Sequence, residues 1–90
     1  MKLQTYLMQE ALAASDWEEA ARVLAGHFYL EMPREFRLDV MRDRYFGDPV
    51  VVEIRHNSLL YRWDAETGFT SRDTRFSTGK IYANIYLRSE

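Results

Sequence analysis

The stretch Lys80-Ile81-Tyr82-Ala83-Asn84-Ile85-Tyr86-Leu87-Arg88 alternates without interruption. Ile81, Ala83, Ile85 and Leu87 fall on one side of an extended chain, and Lys80, Tyr82, Asn84, Tyr86 and Arg88 on the other. A period of two is the signature of a half-buried β-strand, so the last strand has a core face and an outward face. The outward face is the more informative. Tyrosine offers a broad contact area with little rotamer entropy to lose, and arginine offers planar, multidentate hydrogen bonding. A competing reading is purely structural, because tyrosine forms strands well and cross-strand aromatic pairs stabilise sheets.

Working back from this strand, further extended segments follow one another. Val50 to His56 reads as a strand, His56-Asn57-Ser58 as a tight connection, and Leu59 to Trp63 as the strand that pairs back. Asp64 to Gly68 suits a hairpin loop, with Gly68 free to take a positive φ. Phe69 and Thr70 begin a return strand. Ser71 to Gly79 reads as a polar loop carrying Arg72 and Arg75. Gly47-Asp48-Pro49 reads as a turn. Upstream, Glu35 to Val40 alternates charged and apolar residues, which favours a strand over the helix that Pro33 would otherwise suit at its first turn.

The N-terminal third has a different character. Leu3, Tyr6, Leu7, Ala11 and Ala14 recur at steps of three and four, which marks one face of a helix. Ser15-Asp16-Trp17-Glu18 has capping-box spacing, which predicts Ser15 as the N-cap of a second helix. That helix would bury Trp17, Ala21, Leu24 and Phe28 and stop at Gly26. Asp16, Glu18 and Glu19 suit its positive end. Residues 1–33 carry two basic and five acidic side chains, and residues 34–90 carry ten basic and nine acidic. The expectation is a single α+β domain over residues 1–90. Residues 1–32 supply two short helices, and residues 33–90 a mainly antiparallel sheet of about four to five strands.

Composition narrows the function. Ninety residues allow one core. An apolar share of 47 % with 29 % charged residues fits a globular chain and argues against global disorder. A formal charge of −2 argues against a strongly basic nucleic-acid binder and against an acidic DNA mimic. The chain has no cysteine, so it has no disulfide, no thiolate nucleophile and no cysteine-based zinc site. Gln9 and Glu10 interrupt any signal-like apolar core, no apolar run approaches a membrane span, and neither Asn57 nor Asn84 lies in a glycosylation sequon. A cytoplasmic location is the expectation.

Catalytic and cofactor motifs are wanting. His27 and His56 lack metal-binding spacing, which favours a structural or surface role. No Gly-x-Ser-x-Gly turn surrounds a serine, and Gly26, Gly47, Gly68 and Gly79 are isolated rather than part of a phosphate-cradling run. Asp64, Glu66 and Gly68 resemble the start of a calcium loop, but turn chemistry accounts for them better. Arg34, Arg37, Arg42 and Arg44 cluster with Asp39, Asp43 and Asp48 interleaved, which points to local salt bridges. Ten of the 12 cations are arginine, which suits an interface and equally suits a GC-rich genome.

These features predict a non-enzymatic protein-binding module without metal or cofactor. Its binding residues are expected to be Lys80, Tyr82, Asn84, Tyr86 and Arg88, with Arg72 and Arg75. Its partner would be another protein, a host complex or a cognate toxin, and not a membrane. The most concrete version is an inhibitor of host machinery encoded by a phage or mobile element, of the anti-CRISPR or anti-restriction kind. The alternatives are an immunity protein or antitoxin, and a single-stranded nucleic-acid binder that stacks bases on the Tyr/Arg face.

Overall fold

A computed structural model describes residues 3–42, 50–75 and 79–87. Two helices, α1 (Leu3–Ala13) and α2 (Trp17–His27), precede five strands: β1 (Arg37–Met41), β2 (Val51–His56), β3 (Leu59–Asp64), β4 (Gly68–Asp73) and β5 (Tyr82–Tyr86). The strands form one sheet in the order β1-β5-β2-β3-β4. All neighbours are antiparallel except β1 and β5, which run parallel. The α+β architecture matches the expectation. The expected turn at Gly47-Asp48-Pro49 lies outside the described residues.

The two helices meet through a junction of three residues, Ala14 to Asp16. The Ser15 N–H donates to the Leu12 carbonyl (3.1 Å) and the Asp16 N–H to the Ala11 carbonyl (2.9 Å). This is the Schellman pattern, with Ser15 at the left-handed position (φ 55°) that ends α1. Ser15 is therefore not the N-cap of α2. That role falls to Asp16, whose carboxylate accepts from the Glu19 N–H at 3.2 Å. One residue both completes the stop of α1 and starts α2, leaving no room for Ser15 to cap. Two neighbouring substitutions should thus act in opposite directions. Asp16→Ala should lower stability by about 1 kcal/mol through loss of the cap. Ser15→Gly should raise it by up to about 1 kcal/mol, because glycine adopts positive φ without strain. Urea midpoints check both, and a loss for Ser15→Gly with no effect of Asp16→Ala would return the cap to Ser15.

Helix α2 does not stop at Gly26 either. It runs through His27, and its Schellman stop places Tyr29 at φ 57°, with the Leu30 N–H on the Ala25 carbonyl at 2.9 Å. Alanines line its inner side: Ala20, Ala21 and Ala25 are buried with Val23 and Leu24. Small side chains let the helix axis approach the sheet, and the branched residues of the strands fill the remaining space. Trp17 and Phe28 pack at the margins of this core, half-buried.

Helix α1 buries only Ala11 of its expected face. Met8 and Ala11 are its buried residues and Leu12 is half-buried, whereas Leu3, Tyr6, Leu7 and Ala14 are exposed. Apolar residues lie on more than one side of this helix. Its main packing partner among the described residues is α2.

Beneath α2, the sheet presents Val52 and Ile54 from β2, Trp63 from β3, and Ala83 and Ile85 from β5, followed by Leu87. His27 stacks on Phe69 (centroids 4.1 Å apart, planes at 8°), and Phe28 meets Tyr61 at 5.1 Å. This aromatic group anchors the end of α2 over β3 and β4 and gives His27 a structural role. Arg22 fastens the segment between α2 and β1, donating to the Arg34 carbonyl (3.1 Å) and lying 5.1 Å from the Phe36 ring centre.

Strand β4 extends further than expected. Ser71 to Asp73 continue the pairing with β3, opposite Tyr61 to Leu59, so Arg72 is a strand residue and not a loop residue. The Thr74 N–H then donates to the Ser58 carbonyl at 2.7 Å, tying the end of β4 to the β2–β3 turn.

Candidate functional site: the open face of the sheet

Helix α2 packs against β2, β3 and β5 from one side. Because side chains alternate along each strand, the other side of the sheet is defined by the pairing register. Three rows cross it. The first is Arg37–Tyr82–Arg55–Leu60–Arg72, the second Asp39–Asn84–Glu53–Arg62–Thr70, and the third Met41–Tyr86–Val51–Asp64–Gly68. Tyr82, Asn84 and Tyr86 therefore stand along β5, with β1 on one side and β2 on the other. All three are half-buried.

The rows differ in charge. In the first, the Arg37 guanidinium lies 5.7 Å from the Tyr82 ring centre and also bonds the Asp39 carboxylate at 3.2 Å. This pairing agrees with the salt-bridge reading of the Arg/Asp-rich segment. In the second and third rows, Arg62 lies between two carboxylates, Asp64 at 3.2 Å and Glu53 at 3.9 Å. Asp64 and Glu53 are buried. Burial alone would raise the Asp64 pKa, but hydrogen bonds outweigh it and hold the carboxyl below its usual range. The Thr67 N–H (2.8 Å), the Thr67 hydroxyl (2.9 Å), the Glu66 N–H (2.9 Å) and Arg62 Nε (3.2 Å) all donate to it. The carboxylate thus closes the β3–β4 turn, which explains the Asp64-Glu66-Gly68 pattern as turn chemistry.

Two apolar residues on this side, Val51 and Leu60, are almost fully buried although neither belongs to the core beneath α2. Leu60 floors a hollow of about 370 Å³ whose rim carries Arg55, Arg72, Asp73 and Arg75. A larger groove of about 670 Å³ opens at the other margin, where Phe36, Arg37, His56, Lys80, Ile81 and Tyr82 line it. Arg37 and Tyr82 belong to both the groove and the first row, so the groove is continuous with the open face.

The structure brings most of the expected residues to one surface. Lys80 is exposed just before β5, Arg72 is exposed on β4, and Arg75 is exposed beyond its end. Arg72 shares a row with Tyr82 at three strand spacings, about 14 Å. Arg88 lies outside the described residues. Sequence reading missed Arg37 and Arg55, which flank Tyr82 on either side. Alternation within each strand assigns them to the polar side. Only the strand order makes them neighbours of Tyr82.

A second exposed patch, Leu3, Tyr6 and Leu7, lies on α1. There Tyr6 bonds Glu10, which together with the carboxylate charge raises the phenol pKa. Among the described residues no group of three or more His, Asp or Glu side chains could hold a metal ion, and no helix is long and apolar enough to cross a membrane. No protein-family profile, curated protein or solved structure matches this chain.

Proposed function

We propose that the chain is a protein-binding module that acts by covering another protein's surface with the open face of its sheet. The observation that carries this reading is the one-sided covering of the sheet. Its other side presents tyrosine and arginine in register over a small apolar floor. Such a surface combines contact area with hydrogen-bonding capacity.

Size bears on how the partner sits. Five strands at about 4.8 Å spacing and five residues at about 3.3 Å rise span roughly 20 by 17 Å. That is less than the roughly 800 Å² a standard interface buries on each side, so the partner reaches past the rows onto the groove or the Leu60 hollow. The concrete version we carry forward is an inhibitor of host machinery from a phage or mobile element, of the anti-CRISPR or anti-restriction kind. The small size of the chain supports it. An immunity protein or antitoxin is the second version, and an adjacent toxin gene would favour it.

The nucleic-acid reading finds less support. One approach to the Tyr82 ring is occupied by the chain's own Arg37, and Asp39 and Glu53 interleave with the arginines. Both features oppose base stacking and phosphate contact.

Affinity capture from host lysate, run with and without nuclease, tests the proposal. A protein retained through nuclease treatment and weakened at least tenfold by Tyr82→Ala or Tyr86→Ala is the expected result, with both variants folded by circular dichroism. Retention that nuclease abolishes, or that neither tyrosine affects, would overturn it.

A further inference from the structure

We infer that the hollow over Leu60 is a receptor for carboxylate side chains, so that the surface this protein covers is acidic. The inference rests on the protein-binding reading and adds to it the chemistry of the partner.

Six of the described arginines fall into two groups. Arg22, Arg37 and Arg62 are engaged by the chain itself, through Glu18, Asp39, and Glu53 with Asp64 respectively. Arg55, Arg72 and Arg75 are exposed, and their side chains make no ion pair or hydrogen bond among the described residues. These three surround one hollow. Asp73 is the single carboxylate on its lining, so the local balance is positive.

The hollow is built on ordered backbone. Arg55 and Arg72 sit directly on either side of Leu60 in paired strands, two strand spacings or about 10 Å apart. Thr74, next to Arg75, is pinned to the Ser58 carbonyl at 2.7 Å, which holds the chain at the rim. Leu60 is almost fully buried, so a group entering the hollow meets the arginine side chains around it. Exposed guanidinium forks bind carboxylates in paired hydrogen bonds, and the attraction weakens with salt.

Charge elsewhere selects a protein over a nucleic acid. A strand of phosphates crossing the face would meet Asp73 in the hollow and Asp39 in the next row, and the hollow offers no aromatic platform for a base. Discrete carboxylates on a folded surface need only match the three arginines. The opposite, helical side of the molecule carries Glu10, Asp16, Glu18 and Glu19, all exposed. An acidic surface is therefore attracted to one side of this protein and repelled by the other, which orients the encounter.

The test is titration of the ¹⁵N-labelled full chain with hexaglutamate at low salt, followed residue by residue by NMR. Shifts centred on Arg55, Leu60 and Arg72 to Arg75 are expected. The pair Arg55→Gln with Arg72→Gln should weaken binding at least tenfold, Arg34→Gln, at an exposed arginine outside the hollow, should leave it within twofold, and added salt should weaken it. Four results would overturn the inference: no shifts centred on the hollow; binding that the arginine pair does not weaken; tighter binding of a hexathymidylate strand at the same residues; or concentration-dependent self-association that the arginine pair abolishes, which would make a second copy the occupant. If hexaglutamate fails while a captured protein still depends on Tyr82 or Tyr86, the acidic-partner inference falls and the protein-binding reading stands.

Discussion

Ile85→Ala is expected to lower the unfolding free energy by about 2–5 kcal/mol, a large share of what a domain of this size commonly has. Ile85 is fully buried in the middle of β5, with Val40 of β1 and Val52 of β2 opposite it in the sheet. The strands on both sides are fixed by their hydrogen bonds, so the cavity left by three missing carbons closes only in part. Tyr82→Ala and Tyr86→Ala remove larger side chains from the opposite side of the same strand, where each is only half-buried. They are expected to cost less than Ile85→Ala. Urea unfolding of the three variants supplies the comparison. Equal losses would mean that the open face works as a second core layer, and the binding surface would have to be sought elsewhere, with the exposed α1 patch the first place to look.

The second large effect belongs to Asp64. Asp64→Ala is expected to cost about 1–3 kcal/mol, because it removes a buried carboxylate that accepts from two backbone donors, a hydroxyl and a guanidinium. The loss depends on pH. The folded carboxyl titrates below its usual range, so its contribution is fully present above the unfolded pKa of about 4 and is lost as pH falls through the lower, folded value. The wild-type chain should therefore lose stability across that acid window more steeply than the Ala variant. Urea midpoints at neutral pH and at pH 3 decide it. Parallel pH dependence in the two proteins would show that other carboxylates govern acid unfolding.

Local chemistry explains which details were readable and which were misread. Ser15 and Glu18 have the spacing of a capping box, yet Asp16 stands one residue on and caps equally well. The Schellman stop of α1 takes Ser15 into the left-handed region and settles the competition. Gly26 has the conformational freedom to end a helix, but Tyr29 takes positive φ instead, since the packing of His27 on Phe69 and of Phe28 on Tyr61 favours a longer helix. Arg72 reads as a loop residue because Thr70 to Asp73 is wholly polar. It is a strand residue because β4 is an edge strand whose pairing with β3 needs no burial.

The candidate face divides in the same way. Alternation in residues 80–88 alone separates Tyr82, Asn84 and Tyr86 from Ala83, Ile85 and Leu87, because the two sides of a strand are fixed by backbone geometry. Composition alone separates a helical N-terminal third from a β-rich remainder and leaves the chain without cysteine chemistry. Neither sets which strands are neighbours. The last strand enters the sheet between β1 and β2, pairing parallel with one and antiparallel with the other. That insertion brings Arg37 and Arg55 to Tyr82 and aligns Arg72 with them across Leu60. Register across strands far apart in sequence comes from the packing of the whole sheet under α2, and no local period encodes it.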